Sequence, residues 1–207
     1  MNALPRLREL ATRARTASPP ALADADERCA LCATPVATEH PHLIDVRART
    51  LLCACRACAV LFDRRAAGMG QYRRVPERRR RLTDVVVSDT QWAALGVPVA
   101  MAFFSYSTAI ACVVGYYPGP LGATEAIVDT EAWRAIEVAN PVVGTLEHDV
   151  EALLVDRRGE PAQHWLVGID VCYALVGLIR RHWKGLGGGE AVREQIAHFF
   201  ETLRERE

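Results

Sequence analysis

Lysine is almost absent: Lys184 is the only one in 207 residues, and the remaining side-chain cations are arginines. A phosphate-binding loop closed by a Walker lysine is therefore excluded, and no dinucleotide-binding glycine spacing replaces it. No Gly-x-Ser-x-Gly elbow and no His-Glu-x-x-His pair occur, which leaves no recognisable catalytic set. Long apolar runs are also lacking. The longest, Val97 to Val114, is interrupted by Pro98, Ser105, Ser107 and Thr108, and reads as two buried strands, not as a membrane helix. No continuous apolar core follows Arg6, Arg8, Arg13 and Arg15, so no secretory signal is expected. Net charge is zero, which weakens the electrostatic case for a nucleic-acid partner.

What the sequence does hold is a concentration of cysteine. Five of the seven cysteines lie between Cys29 and Cys58, as Cys29-Ala30-Leu31-Cys32 and Cys53-Ala54-Cys55-Arg56-Ala57-Cys58. Two Cys-x-x-Cys pairs separated by a strand-like insert read as two metal-binding knuckles, each a tight turn that aims two thiolates at one point. Clustered cysteines without a signal fit a reducing cytoplasm and a metal site in place of a disulfide framework. Cys29, Cys32, Cys55 and Cys58 make two equal knuckles and are the expected ligands. Cys53 shares a strand face with Cys55 and is an alternative ligand or a neighbouring thiol. His40 and His42 are further candidates. Zinc is the usual metal of a closed four-cysteine site, with rubredoxin-like iron the alternative.

The chain then divides in order. Residues 1–27 read as an arm, a short helix and a linker. Residues 28–63 read as a zinc-ribbon-like module, with strands over His42–Val46 and Thr50–Ala54 joined by a turn. A module this small cannot bury enough surface to fold alone, so the metal would supply the missing stability. Residues 64–84 read as an arginine-rich connector, with Pro76 starting a helix. Eight arginines against Asp63 and Glu77 lie between Ala59 and Leu82, whereas acidic residues outnumber basic ones beyond Pro120. The two halves could therefore dock on each other; the arginine bias fits a GC-rich genome equally well.

Residues 85–207 read as an α+β domain, a mainly antiparallel sheet packed by helices. Val85–Val87 is an expected short strand and Ser88 an expected helix cap. Strands are expected over Val99–Phe104, Ile110–Tyr116, Val150–Val155 and Gln163–Ile169. Helices are expected over Thr130–Val138, Val171–Trp183 with Asp170 as N-cap, and Glu190–Arg204. The glycine-rich turn from Pro118 to Glu125 is the best candidate for a pocket, with Thr124 capping a following helix, although it reads first as a structural turn. Cys112 and Cys172 read as small core residues.

Several segments together resemble a known family. They are Cys55-Arg56-Ala57-Cys58, Met101-Ala102-Phe103-Phe104, Tyr117-Pro118-Gly119-Pro120-Leu121-Gly122-Ala123-Thr124-Glu125, Asp149-Val150-Glu151-Ala152-Leu153-Leu154 and Ile169-Asp170-Val171-Cys172-Tyr173. They are similar to a bacterial family of unknown function encoded near nickel–iron hydrogenase genes. The resemblance covers about residues 28–203. It implies an accessory or maturation factor for the hydrogenase, without assigned catalytic residues. With the cysteine usage and the interrupted apolar run, the expectation is a cytoplasmic protein without membrane insertion, acting by contact with a protein partner such as a hydrogenase subunit or maturation factor. The rival expectations are an iron electron-transfer protein, a nucleic-acid-binding regulator, and an enzyme with its pocket at the glycine turn.

Overall fold

The computed structural model describes residues 27–63, 67–119, 121–184 and 189–207. The expected arm, except Glu27, lies outside them, as do Arg64 and Arg65 of the connector, Pro120 of the glycine turn and 185–188 of the glycine stop. The described residues form an α+β structure with two antiparallel sheets and helices packed on them.

The smaller sheet has the order β2-β1-β3, with β1 His42–Asp45, β2 Thr50–Cys53 and β3 Tyr72–Arg74. The β1–β2 hairpin is the one the sequence predicts. Its turn is held by the Ala48 N–H donating to Asp45 Oδ1 at 2.9 Å, and Arg49 takes a left-handed φ of 56° to close it. That donor holds the Asp45 carboxyl below its ordinary range. A short helix, α1 (Arg56–Leu61), follows the second knuckle.

The larger sheet has the order β4-β9-β8-β5-β6-β7. Its strands are β4 Arg79–Arg81, β5 Met101–Ser107, β6 Cys112–Gly119, β7 Gly122–Ile127, β8 Glu151–Asp156 and β9 Gln163–Gly168. The helices beyond the module are α2 Asp89–Ala94, α3 Thr130–Ala139, α4 Ile169–His182 and α5 Gly189–Glu205. Strands β5 and β8 occupy the middle, which explains why their sequences are apolar without alternation. Along β5, Met101 and Phe103 face a core shared with α4 and α5, and Ala102 and Phe104 face a second core shared with α2 and α3. Ser88 caps α2 in a reciprocal capping box with Gln91.

Three local expectations are corrected. Pro76 starts no helix: Arg79–Arg81 pairs with β9 as an edge strand, and Tyr72–Arg74 joins the smaller sheet, so the expected connector carries two strands. Val85–Val87 is not a strand. Val85 and Val87 are buried, but the Val86 backbone is bonded on both sides by the Asn140 amide, at 3.0 and 3.1 Å, which does the work of a ladder. The glycine turn is a hairpin, with Gly119 opposite Gly122 and Thr124 opposite Tyr117, so Thr124 sits inside β7 and caps nothing.

The smaller sheet is seated on the larger domain. Ile44 of β1 and Val75, just after β3, are buried in the core beneath α4 and α5. Arg73 pairs with Glu147 at 2.9 Å and Asp149 at 3.4 Å, and Arg78 with Glu151 at 2.5 Å. These are arginines of the expected connector bound to acids beyond residue 120, while Arg74 pairs locally with Asp63 and Glu77. At the far end, Arg49 reaches Glu125 at 2.5 Å and the Tyr116 hydroxyl at 3.2 Å.

Candidate metal centre

The first knuckle is a turn closed by two backbone bonds. The Ala33 N–H donates to Cys29 O at 2.8 Å, and Cys29 N–H to Thr34 O at 2.9 Å, with Ala33 at a left-handed φ of 61°. The second knuckle opens α1: Cys55 is its N-cap, and the Cys58 N–H donates to Cys55 Sγ at 3.4 Å. The β1–β2 hairpin brings the two together, because the Ala30 N–H donates to Cys53 O at 2.8 Å.

The outcome is a group of four sulfurs, those of Cys29, Cys32, Cys55 and Cys58, all within 4.8 Å of one another. Cys32 Sγ and Cys55 Sγ are 3.7 Å apart. Tetrahedral ligands about 2.3 Å from a zinc ion would be separated by about 3.8 Å, so this spacing fits a shared cation. Four close sulfurs cannot all ionise cheaply without one, and the thiols are split accordingly. Burial pushes Cys29 up, but the N–H groups of Cys55, Cys32 and Leu31 outweigh it and bring the thiol down to about 6. The Thr34 hydroxyl lowers Cys32, whereas the neighbouring Cys55 thiol, then Cys32, push Cys58 up to about 12. The four cysteines can hold a metal ion.

Cys53 stands outside this group. It is grouped with His40 and His42, the other two candidates of the module. Burial, with the Glu27 carboxylate and Cys29 nearby, pushes its thiol up. Asp170 does not cap α4: the N-cap is Gly168, and Asp170 is the second residue of the helix. Its Oδ1 accepts from the Val171 N–H at 2.8 Å, and Oδ2 lies 3.1 Å from His42 Nδ1. No short-range pattern in the sequence signals that contact, which spans 128 positions. Cys172, on the buried face of α4, has its thiol pushed far up by burial, and Cys112 packs against the same core.

A cleft of about 630 Å³ lies where the module meets α4 and α5. His40 and His42 of the module, Arg56 of α1, Arg74 and Arg79, and Asp170 and Arg206 of the larger domain are among the residues that line it. The described residues of the glycine turn line no part of it. Gly168, the N-cap of α4, is closely packed: a Cβ there would lie 2.5 Å from Pro76 O and 2.7 Å from Asp170 Oδ1. Gly168→Ala should therefore lower stability by about 1–3 kcal/mol, because a backbone carbonyl must move to admit the methyl group. Thermal denaturation checks it; a neutral substitution would mean that the Pro76 segment yields freely.

A family of unknown function, DUF5947, is matched over residues 28–207. That span is most of the chain, and the chain belongs to this family. No curated protein and no solved structure matches.

Proposed function

We propose that Cys29, Cys32, Cys55 and Cys58 bind one structural zinc ion that fastens the N-terminal sheet, and that the protein is an accessory factor in nickel–iron hydrogenase maturation working through protein contacts. The convergence of four sulfurs at tetrahedral spacing carries the first half. Four thiolates close the coordination shell and leave no position for water or substrate, which favours a structural role over catalysis at that metal. The second half is supported by the motif segments that resemble the hydrogenase-associated family, and by a cleft of about 630 Å³ lined by both parts of the molecule. The pairing of Arg73 and Arg78 with the larger domain takes two cations away from any nucleic-acid surface and favours protein contact over phosphate binding.

Two measurements test this. Elemental analysis of wild type and Cys32→Ser should differ by one zinc per chain, with colourless protein; an iron-type visible spectrum would replace zinc by rubredoxin-like iron. Affinity purification from the native host should recover a hydrogenase subunit or maturation protein in stoichiometric amount, and deletion of the gene should lower hydrogenase activity. Full activity in the deletion strain would end the accessory reading.

A further inference from the structure

We propose a second metal site, separate from the four cysteines, formed by His40, His42 and Cys53 and opening into the cleft. In the β1–β2 hairpin His42 lies directly opposite Cys53, so the two side chains share a face. His40 precedes His42 by two residues, and the two rings lie 4.6 Å apart between centroids. One ring nitrogen of each histidine and Cys53 Sγ all fall within 4.8 Å of one another. The backbone around them is pinned: the Ala54 N–H donates to Pro41 O at 2.9 Å, and the Val75 N–H to His42 O at 3.0 Å.

The tautomers are set for ligation. His40 Nδ1 is 2.8 Å from Ala37 O and 3.6 Å from Glu27 Oε2, both acceptors, so it carries the proton and leaves a lone pair on Nε2. That side chain is only 6% exposed, and Nε2 is buried with no partner. An unpaired buried nitrogen is costly, about 1–3 kcal/mol, and a cation would satisfy it. His42 is arranged in the same sense, with Nδ1 directed at the Asp170 carboxylate and Nε2 left to a ligand. Histidine ligands commonly donate their second nitrogen to a carbonyl or a carboxylate in this way, and here one ring uses each.

Two imidazoles and one thiolate suit a divalent transition ion of intermediate softness, zinc or cobalt among them. Three protein ligands leave a fourth position open, the arrangement of reactive metal sites and not of closed structural ones. Both histidines line the cleft, which is the route by which a fourth ligand would reach the site. Arg56 and Arg79 line the same cleft. The open position would take a small anionic or thiol-bearing ligand.

The test adds cobalt(II) chloride to the full-length protein as isolated and reads metal content together with the visible spectrum. Wild type should carry two metals per chain in total. Cobalt entering the second site should give a tetrahedral spectrum with the charge-transfer intensity of one sulfur, not four. His40→Ala and Cys53→Ser should each lose one metal per chain and that spectrum while keeping the metal that depends on Cys32. Asp170→Asn, which leaves the three ligands in place, should weaken cobalt binding roughly 10–100-fold. A total of one metal per chain, or cobalt binding indifferent to all three substitutions, would overturn the second site. Loss of the Cys32-dependent metal is read separately, so failure of the four-cysteine reading does not pass for failure of this one.

Discussion

Removing the proposed zinc from the four cysteines should unfold the molecule well beyond the N-terminal module. From the sequence, residues 85–207 carry enough apolar strand and helix to bury a core unaided, and Cys58→Ser is expected to release only residues 28–63 to protease. The seating of the module changes that expectation. Its own core is small, with Cys29, Leu43, Ala54 and Ala59 buried together, so little besides the metal holds it. The opposite face of β1 and the residue after β3 belong to the larger domain: Ile44 and Val75 are buried among Trp165, Val167, Ile169 and Cys172. Exposing two such side chains costs about 3–6 kcal/mol, a large part of the ~5–15 kcal/mol by which a protein of ordinary stability is folded. Cys58→Ser, or chelator treatment of the wild type, should thus give one broad transition at much lower temperature and proteolysis that runs past residue 84. Acid should act in the same direction, since protonation of the thiolates expels the metal. A protease-resistant 85–207 fragment with native circular dichroism would show that the larger domain stands alone.

The limits of sequence reading follow from the same packing. Short-range signals survive: the two knuckles, the β1–β2 hairpin, the Ser88 cap and the helices over 130–139, 169–182 and 189–205 all rest on patterns a few residues wide. The chain's long-range pairings leave no such trace. Arg79–Arg81 has the composition of a solvated run, yet it is a strand because β9 presents a free edge to it and Arg78 finds a buried acid. The glycine turn looks like a ligand loop, but glycines at 119 and 122 also suit a tight hairpin, and the register of β6 with β7 decides between the two. At the metal centre the spacing of the cysteines identifies the group of four. It says nothing of the His40, His42, Cys53 and Asp170 constellation, which depends on a cross-strand register and on the docking of the module against α4.

Where the chain passes from the smaller sheet into β4, an ion pair anchors it to the larger sheet, and its loss should be measurable. Glu151 is 2% exposed and its carboxylate is held by Arg78 at 2.5 Å and by the Glu147 N–H at 2.8 Å. Arg78 also approaches Thr145 O at 3.5 Å, so its guanidinium ties β4 to the loop before β8. Arg78→Ala would leave a buried carboxylate with one backbone donor. Breaking a fully enclosed pair costs ~3–5 kcal/mol; here the Arg78 side chain is 41% exposed, water can replace part of it, and the expected loss is about 2–4 kcal/mol. In a chain of this size the melting temperature should fall by roughly 4–16 °C. Arg80, exposed on the same strand, is the control, and Arg80→Ala should change stability by less than about 0.5 kcal/mol. The double variant Arg78→Ala with Glu151→Gln isolates the pair: once Glu151 is neutral there is no charge to strand, so deleting Arg78 should cost about 1–3 kcal/mol less than in the wild type. Equal effects of Arg78→Ala in both backgrounds would mean that the arginine acts by packing alone and that the charge of Glu151 plays no part in its contribution.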